Sequence, residues 1–350
     1  MAMLTTRQPL GRTGLALPPI VFGTSCLGNL YQALPWETKL ATVREFFRHV
    51  APPVVLDSAG KYGAGLALEV IGRCLRELKL PAEQVLVSNK LAWKRVPLRG
   101  LEPTFEPGVW ADLKHDAVQV ISYEGILECW RQGIDLLGGV RPAIVSVHDP
   151  DEYLAGATHP RDRERRLQDI VEAYRALNEL KSRGEVAAVG VGAKSWAVIR
   201  ELAERAELDW VMFACSLTVM THPPELLAFM DRLHRRGVGM INSAVFHAGF
   251  LTGGSFFDYR KVDPAVAADA PLFAWRTAFG ALCTRFGVRP ADVCVRFGMA
   301  VPGVLATALN TSKPERVADN VAAVTAEIPA ALWTALKDAG LVAREFPYLG

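Results

Sequence analysis

Residues 53–63 read PVVLDSAGKYG and carry an apolar run into a glycine-containing turn, which is followed by the amphipathic segment LALEVIGRCLREL. The pattern predicts a buried strand that ends at Asp57 and a helix after the turn. Asp57 and Gly60 are common turn formers, so an ordinary turn accounts for them. Asp57 together with Tyr62 also fits half of a proton-transfer site. Lys61, between the two, is predicted to be a solvated loop residue.

Short apolar runs bounded by turn residues recur along the chain, and longer segments with helical spacing lie between them. The runs lie at 19–23, 53–57, 84–90, 143–148, 186–192, 209–214, 238–242 and 304–309. The first, fifth and eighth runs show little alternation, as is typical of parallel strands covered on both faces. Eight strand–helix alternations within this length predict an α/β protein with a (β/α)8 TIM barrel.

Three connections complete the predicted barrel. The opening PLGRTGLALP has a turn centred on Thr13 and Gly14 and is predicted to form an N-terminal hairpin that closes the barrel bottom. The connections at 91–120 and 244–266 follow the third and seventh strands, and loops of such length are usually functional. Because the chain contains no linker and no repeat beyond the alternation itself, residues 1–350 are predicted to form one domain.

The composition excludes several classes of protein. Half of the 350 residues are hydrophobic and 22% are charged, which is enough for a large core and a solvated surface. A formal net charge of +2 and the absence of a basic run argue against nucleic-acid binding. No apolar stretch reaches the length of about 18 residues that a membrane span needs. The oligomeric state stays open.

The cysteines and the N-terminus indicate the compartment. The six cysteines are scattered and form no CxxC pair, as expected of buried residues in a reducing environment. The N-terminus lacks the continuous apolar core of a signal peptide. A cytoplasmic protein is therefore predicted.

Four polar residues fall where successive predicted strands end. Asp57 ends the second strand and Tyr62 lies in the loop after it, while Lys90 ends the third strand and His148 the fourth. The carboxyl ends of barrel strands form the face on which barrel enzymes carry their active sites. A cation near a tyrosine favours the phenolate, so we expect Asp57 to hold Lys90 and Lys90 to make Tyr62 more acidic. His148 would hydrogen-bond the reacting oxygen. No metal-ligand set is evident.

Five motifs resemble those of the aldo-keto reductases in order and spacing. They are LDSAGKYG at 56–63, VSNK at 87–90, VSVHDP at 145–150, GEVAAVGVG at 184–192 and SKPERVADN at 312–320. The catalytic tetrad that the resemblance implies consists of Asp57, Tyr62, Lys90 and His148. The resemblance also implies a nicotinamide dinucleotide bound in extended form across the barrel mouth. Hydride would pass between nicotinamide C4 and a carbonyl or carbinol carbon.

The same resemblance implies a set of cofactor contacts at the strand ends and in the loop after the eighth strand. These residues are Gly23, Thr24, Gly192, Ser243, Phe246, Asn310, Thr311, Arg316 and Asn320. The chain departs from the family at three places. Gly192 and Ala193 replace a Ser-Asn pair that binds the carboxamide. Met212 replaces a glutamine, and Ser243 replaces an aromatic residue that stacks beneath the nicotinamide.

The choice between NAD and NADP depends on the loop after the eighth strand. NADP-preferring relatives hold the 2′-phosphate with a Lys-Ser pair and a later arginine, whereas Asn310, Thr311 and Arg316 stand at these positions here. One positive charge is lost and one arginine is kept. The loop therefore slightly favours NAD and leaves NADP open.

These departures, with FGTSCLGNLY at 22–31 and NSAVFHAGFLTGG at 242–254, resemble the aldose 1-dehydrogenase branch. That branch includes L-fucose, D-threo-aldose and D-galactose dehydrogenases, with a pyridoxal 4-dehydrogenase as a close relative. It implies a small-molecule sugar substrate whose anomeric hydroxyl is oxidised to give a lactone. The aromatic residues predicted at the mouth, with polar groups such as Asn29 beside them, suit a pyranose ring or simply pack the loops. They are Tyr31, Trp36, Trp93 and Trp110.

Three other functions compete with oxidation of an aldose. The tetrad works in both directions, so a carbonyl or pyridoxal reductase is a direct alternative. The intact tetrad argues against a non-catalytic redox sensor or channel-associated subunit, although such proteins can also retain it. An unrelated barrel enzyme such as an isomerase does not account for five motifs in order.

Overall fold

The computed structural model describes residues 3–258 and 260–349. In chain order its strands are β1 (Gln8–Pro9), β2 (Ala16–Leu17), β3 (Ile20–Gly23), β4 (Val54–Ala59), β5 (Val85–Leu91), β6 (Trp93–Pro97), β7 (His115–Gln119), β8 (Ile144–His148), β9 (Ala188–Ala193), β10 (Trp210–Ala214), β11 (Gly239–Ser243), β12 (Phe256–Phe257), β13 (Arg260–Lys261) and β14 (Val304–Leu309). Eight of these strands form a closed barrel in the order β3, β4, β5, β8, β9, β10, β11 and β14, with β14 pairing with β3. Each predicted apolar run supplies one barrel strand, so the (β/α)8 prediction is confirmed.

Helices connect the barrel strands. They are α1 (Trp36–His49), α2 (Leu66–Glu77), α3 (Tyr123–Leu136), α4 (Pro150–Ala155), α5 (Pro160–Ser182), α6 (Trp196–Ala203), α7 (Pro224–Arg235), α8 (Ala270–Arg285), α9 (Pro290–Gly298), α10 (Val317–Ala323) and α11 (Ala330–Asp338). Their ends follow local chemistry: the Ser122 hydroxyl accepts a hydrogen bond from the Gly125 amide at the start of α3. Gly184 has a φ of 71° and lies two residues after α5 ends, a common position for a glycine that terminates a helix.

Parallel pairing aligns the carboxyl ends of the strands. In β4 and β5, Asp57 pairs with Ser88 and Ala59 pairs with Lys90. The same alignment continues into β8, where Lys90 pairs with Ser146. Polar side chains that are far apart in sequence therefore meet at one end of the barrel. Apolar residues fill the space between the barrel and the helices.

An N-terminal hairpin closes the opposite end. Strands β1 and β2 pair antiparallel, and the turn between them carries Leu10 into the apolar interior of the barrel. A Cβ added to Gly239, the first residue of β11, would lie 2.6 Å from Cδ1 of Leu10. Since Gly239 lies at the amino end of its strand, the hairpin covers the bottom, as predicted.

Both long connections contain secondary structure. Residues 91–120 include the antiparallel hairpin β6–β7, in which Trp93 pairs with Gln119. Residues 244–266 include a 3-10 helix at Phe250–Thr252 and the short hairpin β12–β13. Both follow carboxyl ends of barrel strands and lie at the mouth. No helix in the described part of the chain has the length and apolar character of a membrane span.

Candidate active site

The turn between β4 and α2 is fixed by close backbone approaches. A Cβ added to Gly60 would lie 2.1 Å from the Trp93 carbonyl oxygen. Gly63 has a φ of 63°, and a Cβ there would lie 2.2 Å from the Gly28 carbonyl oxygen. Only glycine fits such positions without displacing the neighbouring backbone. The turn therefore holds Tyr62 between hairpin β6–β7 and the segment after β3.

A buried ion pair lies beneath this turn. The Lys90 ammonium contacts Oδ2 of Asp57, and both residues are 3% exposed. The Ser88 hydroxyl donates to Oδ1 of Asp57 at 3.0 Å. A buried carboxylate is stable only when its charge is paired and its oxygens are hydrogen-bonded, and both conditions are met here. The predicted pairing of Asp57 with Lys90 is present in the structure.

The tyrosine and the histidine complete the cluster. The Lys90 ammonium lies 4.7 Å from the centroid of the Tyr62 ring. The rings of Tyr62 and His148 meet edge-on, with centroids 5.6 Å apart and an interplanar angle of 84°. All four predicted tetrad residues therefore come together at the mouth of the barrel.

The protonation of Tyr62 differs from the expectation. Burial raises the pKa of Tyr62 well above its usual value, and the negative charges of Asp57 and Asp149 raise it further. Lys61 is the cation that opposes this shift. Burial and these carboxylates therefore outweigh the acidification expected from Lys90.

His148 is also driven toward its neutral form. Burial lowers the pKa of His148 well below its usual value, and the neighbouring Lys90 and Lys61 ammonium groups lower it further. Its Nδ1 is buried without a hydrogen-bond partner, and its Nε2 lies 3.6 Å from Oδ1 of Asp149. A neutral imidazole offers one N–H donor and one acceptor nitrogen. This arrangement suits a hydrogen bond to the reacting oxygen.

Lys61 is not the solvated residue that the sequence predicted. It is 4% exposed, and its ammonium lies 2.8 Å from Glu106, 2.8 Å from Asp149 and 3.0 Å from Glu152. The prediction was wrong because these carboxylates come from segments that are distant in sequence. Glycine and serine neighbours mark a turn, but they do not show what folds over it.

Aromatic side chains form one wall above Tyr62. The rings of Tyr62 and Trp110 lie 6.0 Å apart, and Trp110 is held by a 2.7 Å hydrogen bond from its Nε1 to Glu106. Trp93 packs against the same cluster, and its own Nε1 is buried without a partner. Tyr31, at 43% exposure, stacks on Phe256 of β12. Trp110, Trp93 and Tyr31 are the three residues predicted to contact substrate.

Two other predicted mouth residues have structural roles. Trp36 begins α1, and the Arg73 guanidinium lies 3.6 Å above its ring. Asn29 is buried, and its amide donates to the Ala111 carbonyl and accepts from the Leu34 amide. Trp36 therefore joins two helices, and Asn29 ties the loop after β3 to the long connection after β5.

The predicted cofactor residues lie at the carboxyl ends of β3, β9, β11 and β14. Asn310 is exposed, and its amide donates to the Ser25 hydroxyl at 2.9 Å. Arg316 is also exposed and lies 3.4 Å from Asp319. Thr311 and Asn320 are half-buried in the same region. Amide, hydroxyl and guanidinium groups are suitable donors to phosphate oxygens, so this loop fits one end of a dinucleotide.

The inner cofactor positions are smaller and more enclosed. A Cβ added to Gly192 would lie 3.3 Å from Cδ of Lys90, so the absence of a side chain there leaves room beside the ion pair. A Cβ on Gly23 would lie 3.3 Å from Cβ of Asn310. The Ser243 hydroxyl donates to the Phe213 carbonyl at 3.1 Å. These small residues fit a flat ring laid across the strand ends.

Two residues of the predicted cofactor set serve the protein itself. Thr24 is fully buried, and its hydroxyl donates to the Asp57 carbonyl oxygen at 2.9 Å. It therefore anchors β3 to β4 beside the ion pair, and its hydroxyl is already used. Phe246 is half-buried and packs against the two largest apolar clusters.

Within residues 3–258 and 260–349, one group of potential metal ligands occurs, which the sequence did not predict. Ligand atoms of Cys215, His247 and Asp258 lie within 4.8 Å of one another. Both nitrogens of His247 are already occupied, one 2.7 Å from the Thr218 hydroxyl and the other 2.7 Å from Asp258. The first bond connects the loop after β11 to the loop after β10, and the second lies within the connection after β11.

Comparison with known proteins agrees with this geometry. Residues 19–340 match the sequence profile of the Aldo/keto reductase family. The chain belongs to this family. It is an NAD(P)-dependent oxidoreductase, since family members use nicotinamide cofactors and curated relatives are dehydrogenases.

Three relatives of this aldo/keto reductase span nearly its whole length. Pyridoxal 4-dehydrogenase of Microbacterium luteolum is 26% identical, with 96% of this chain and 98% of the relative covered. D-threo-aldose 1-dehydrogenase of a Pseudomonas species is 24% identical over 97% of this chain and 99% of its own. L-galactose dehydrogenase of Arabidopsis thaliana is 23% identical over 91% and 88%.

Solved structures share the fold. A glycerol dehydrogenase of Gluconobacter oxydans superimposes with a TM-score of 0.68 at 18% identity, covering 95% of this chain and 94% of that one. An aldo-keto reductase of Bacillus halodurans gives a TM-score of 0.67 at 18% identity, covering 97% and 98%. These likenesses support the barrel architecture alone.

Four residues of the site region were not predicted from the sequence: Lys61, Glu106, Asp149 and Glu152. The position of Asp149 in the sequence could have indicated a site residue, because it directly follows His148 at the end of a barrel strand. Glu106 lies inside a long connection with no periodic pattern. Only the fold brings it to Lys61.

Proposed function

We propose that this aldo/keto reductase oxidises a free aldose, such as L-fucose or a similar sugar, at C1 to give the lactone. The hydride goes to nicotinamide C4, and Tyr62 is the general base for the anomeric hydroxyl. One observation carries the proposal: Tyr62 lies against the Lys90–Asp57 pair and His148, directly beneath an aromatic wall. A cyclic hemiacetal supplies the hydroxyl proton and the C1 hydride that such a site would separate.

The protein side of the reaction follows from the protonation states. When bound, the oxidised nicotinamide would supply the hydride acceptor. Tyr62, with its raised pKa, is protonated at neutral pH and must give up its proton before it can accept that of the sugar. Lys90 stabilises the phenolate while Asp57 holds the amine in place. Neutral His148 hydrogen-bonds the oxygen of the anomeric hydroxyl. Oxidation should therefore accelerate as the pH rises, and carbonyl reduction should be favoured at lower pH.

Two features support a sugar as substrate. Two of the curated relatives are named as D-threo-aldose and L-galactose dehydrogenases. The mouth combines flat aromatic faces, those of Trp93, Trp110 and Tyr31, with polar groups close to Tyr62. Pockets of this kind bind through apolar faces and gain specificity from a few polar groups.

Pyridoxal is the second candidate substrate. The relative that is 26% identical is named as a pyridoxal 4-dehydrogenase. A pyridine ring is flat and would stack on the same wall. The tetrad is compatible with either compound, because an aldose and the cyclic hemiacetal of pyridoxal both carry a hydroxyl whose proton Tyr62 can accept.

We also propose NAD as the preferred coenzyme. The position at which NADP-preferring relatives carry a lysine is Asn310 here, so one positive charge toward a 2′-phosphate is lost. Arg316 is exposed in the same loop and leaves use of NADP open.

A spectrophotometric assay tests the proposal. Protein is mixed with NAD⁺ or NADP⁺ and a panel of free aldoses plus pyridoxal, and the absorbance of the reduced cofactor is followed. Rapid turnover of one aldose is expected, with a higher kcat/KM for NAD⁺. Turnover of pyridoxal alone would favour the second candidate. Cofactor binding without turnover of any compound would favour a redox sensor.

The role of Tyr62 is tested with Tyr62→Phe, which removes only the phenolic oxygen. We expect kcat to fall by about 10²–10⁴-fold, the usual contribution of a general acid–base group, while the cofactor Kd is retained. Tyr123→Phe is the matched control, because the Tyr123 hydroxyl donates to Glu179 at 2.7 Å on the outer helices. A fully active Tyr62→Phe protein would show that the base is another group.

A further inference from the structure

A buried lysine that the tetrad does not use lies next to Tyr62. The Lys61 ammonium has three N–H donors. Each faces a carboxylate: Glu106 at 2.8 Å, Asp149 at 2.8 Å and Glu152 at 3.0 Å. The Lys61 ammonium also lies 4.9 Å from the Trp93 ring. Such complete pairing is what a buried ammonium requires.

The three carboxylates belong to different parts of the mouth. Glu106 lies in the long connection after β5, Asp149 follows β8, and Glu152 lies in α4. Lys61 itself lies in the turn after β4. One side chain therefore ties three segments of the barrel rim together.

Two of these carboxylates also contact groups of the site. Glu106 accepts from Nε1 of Trp110 at 2.7 Å, which holds the aromatic wall. The other oxygen of Asp149 lies 3.6 Å from Nε2 of His148. Lys61 is thus connected through single residues to both the predicted substrate wall and the tetrad histidine.

We propose that Lys61 is a positioning residue of the oxidoreductase reaction: its ammonium gathers Glu106, Asp149 and Glu152 around Tyr62 and compensates their charge. The inference rests on the proposed role of Tyr62 as the proton-transfer group. Without the ammonium, the carboxylates would repel one another and release the loop that carries Trp110. Glu106 and Asp149 would also lose their ammonium partner beside the phenol, whereas Glu152 would keep its 2.7 Å contact with Lys194.

The charges around Tyr62 come from every element that packs against it. These groups are Asp57 and Lys90 on β4 and β5, Lys61 in the turn, Glu106 in the long connection, His148 and Asp149 at the end of β8, Glu152 in α4 and Lys194 after β9. The negative charges of Asp57, Asp149 and Glu106 raise the pKa of Tyr62, and the positive charge of Lys61 lowers it. Removal of Lys61 should therefore raise the pKa of Tyr62 further.

The first test compares pH profiles of kcat/KM for oxidation, with whichever substrate the wild type turns over. In Lys61→Met we expect the midpoint of the rise to move upward by about one pH unit, the usual effect of losing a nearby opposite charge. At pH 7 kcat/KM should fall by about tenfold. The double variant Lys61→Met/Glu106→Gln should recover part of this loss, because the Glu106→Gln change keeps an acceptor for Trp110 and removes a negative charge. A Lys61→Met profile that superimposes on that of the wild type would overturn the proposal.

Two controls separate this role from a general loss of stability. Lys181→Met removes a lysine whose ammonium bonds both oxygens of Asp209, at the amino end of β10 and away from the mouth. It should lower stability and leave the pH profile unchanged. Glu106→Gln alone keeps the buried lysine paired and should move the midpoint downward. If the midpoint in Glu106→Gln stays at the wild-type pH, the inference fails even where Lys61→Met does not fold.

A second measurement needs no substrate. The Tm difference between the wild type and Lys61→Met is recorded from pH 8 to pH 5. Protonation relieves the repulsion among unpaired carboxylates, so the difference should shrink as the pH falls. A constant or growing difference would contradict the proposed charge compensation. This result does not depend on Tyr62, so it distinguishes failure of this inference from failure of the proposed function.

Discussion

Burial moves the two titratable groups at the centre of the site in opposite directions. The pKa of Tyr62 is raised and that of His148 is lowered, and both shifts favour the uncharged form. At neutral pH the tyrosine is therefore a proton donor and the histidine is neutral. The charges of Asp57 and Asp149 add to the shift of the Tyr62 pKa, and those of Lys90 and Lys61 add to the shift of the His148 pKa.

The shift at His148 predicts how stability depends on pH. A histidine whose pKa is lowered by folding binds protons more readily in the unfolded state, so stability is lost as the pH falls below the unfolded value of about 6.5. Each such group contributes up to about 1.4 kcal/mol per pH unit. We expect His148→Gln to lose less stability than the wild type between pH 7 and pH 5, as measured by urea unfolding.

His234→Gln provides the control for this prediction. His234 is exposed in the last turn of α7, far from the buried ion pairs. Its replacement should leave the pH dependence of unfolding as it is in the wild type. Equal acid sensitivity in His148→Gln and His234→Gln would show that His148 does not carry the effect.

At the scale of the element, the turn between β4 and α2 determines where the tyrosine lies. The turn is crowded from two sides, by the Trp93 carbonyl against Gly60 and by the Gly28 carbonyl against Gly63. Strand β4 leads into the turn from the barrel, and α2 begins at Leu66. The Tyr62 side chain is therefore positioned by backbone contacts of the turn as much as by its own side-chain neighbours.

Gly63→Ala tests this backbone constraint. The positive φ costs about 1–2 kcal/mol for a residue with a Cβ, and the overlap with Gly28 adds about 1–3 kcal/mol. Gly184→Ala is the matched control, because Gly184 has a φ of 71° and open space around its Cβ position. In urea unfolding, Gly184→Ala should lose only the free energy that the positive φ costs. kcat should fall in Gly63→Ala alone, and equal losses of stability in the two variants would contradict the close contact.

At the scale of the whole molecule, the two ends of the barrel are separated in role. The bottom is plugged by the β1–β2 hairpin, whose Leu10 packs with Leu17, Val21 and Trp210 in the barrel interior. The mouth holds the paired charges and the aromatic wall. In barrel enzymes the amino-terminal end generally contributes stability, and the carboxyl-terminal end carries the active site.

Leu10→Ala should therefore lower stability without changing catalysis. Truncation of a fully buried leucine costs about 2–5 kcal/mol. The measurements are urea unfolding and kcat/KM at a temperature at which the variant is folded. Leu101→Ala is the control, since Leu101 is fully exposed in the long connection and should change neither quantity. A large fall in kcat/KM of folded Leu10→Ala would contradict the separation.

Much of the architecture could be read from the chain alone. Strand and helix positions follow from local periodicity, and the end of α5 near Gly184 follows from a positive φ that glycine adopts freely. The meeting of Asp57, Lys90 and His148 could be predicted because parallel pairing brings the carboxyl ends of neighbouring strands together. The polar residues at those strand ends can be identified from the sequence without knowing how the barrel packs.

The environment of the tyrosine was decided by the tertiary structure. Lys61 was predicted to be solvated and is buried, because Glu106 approaches from the long connection after β5 and Asp149 from the end of β8. The pKa of Tyr62 was predicted to fall and is raised. Burial and long-range charge depend on which segments fold over a residue, and no local pattern encodes them. Periodicity and strand ends are encoded locally, whereas desolvation is a property of the assembled barrel.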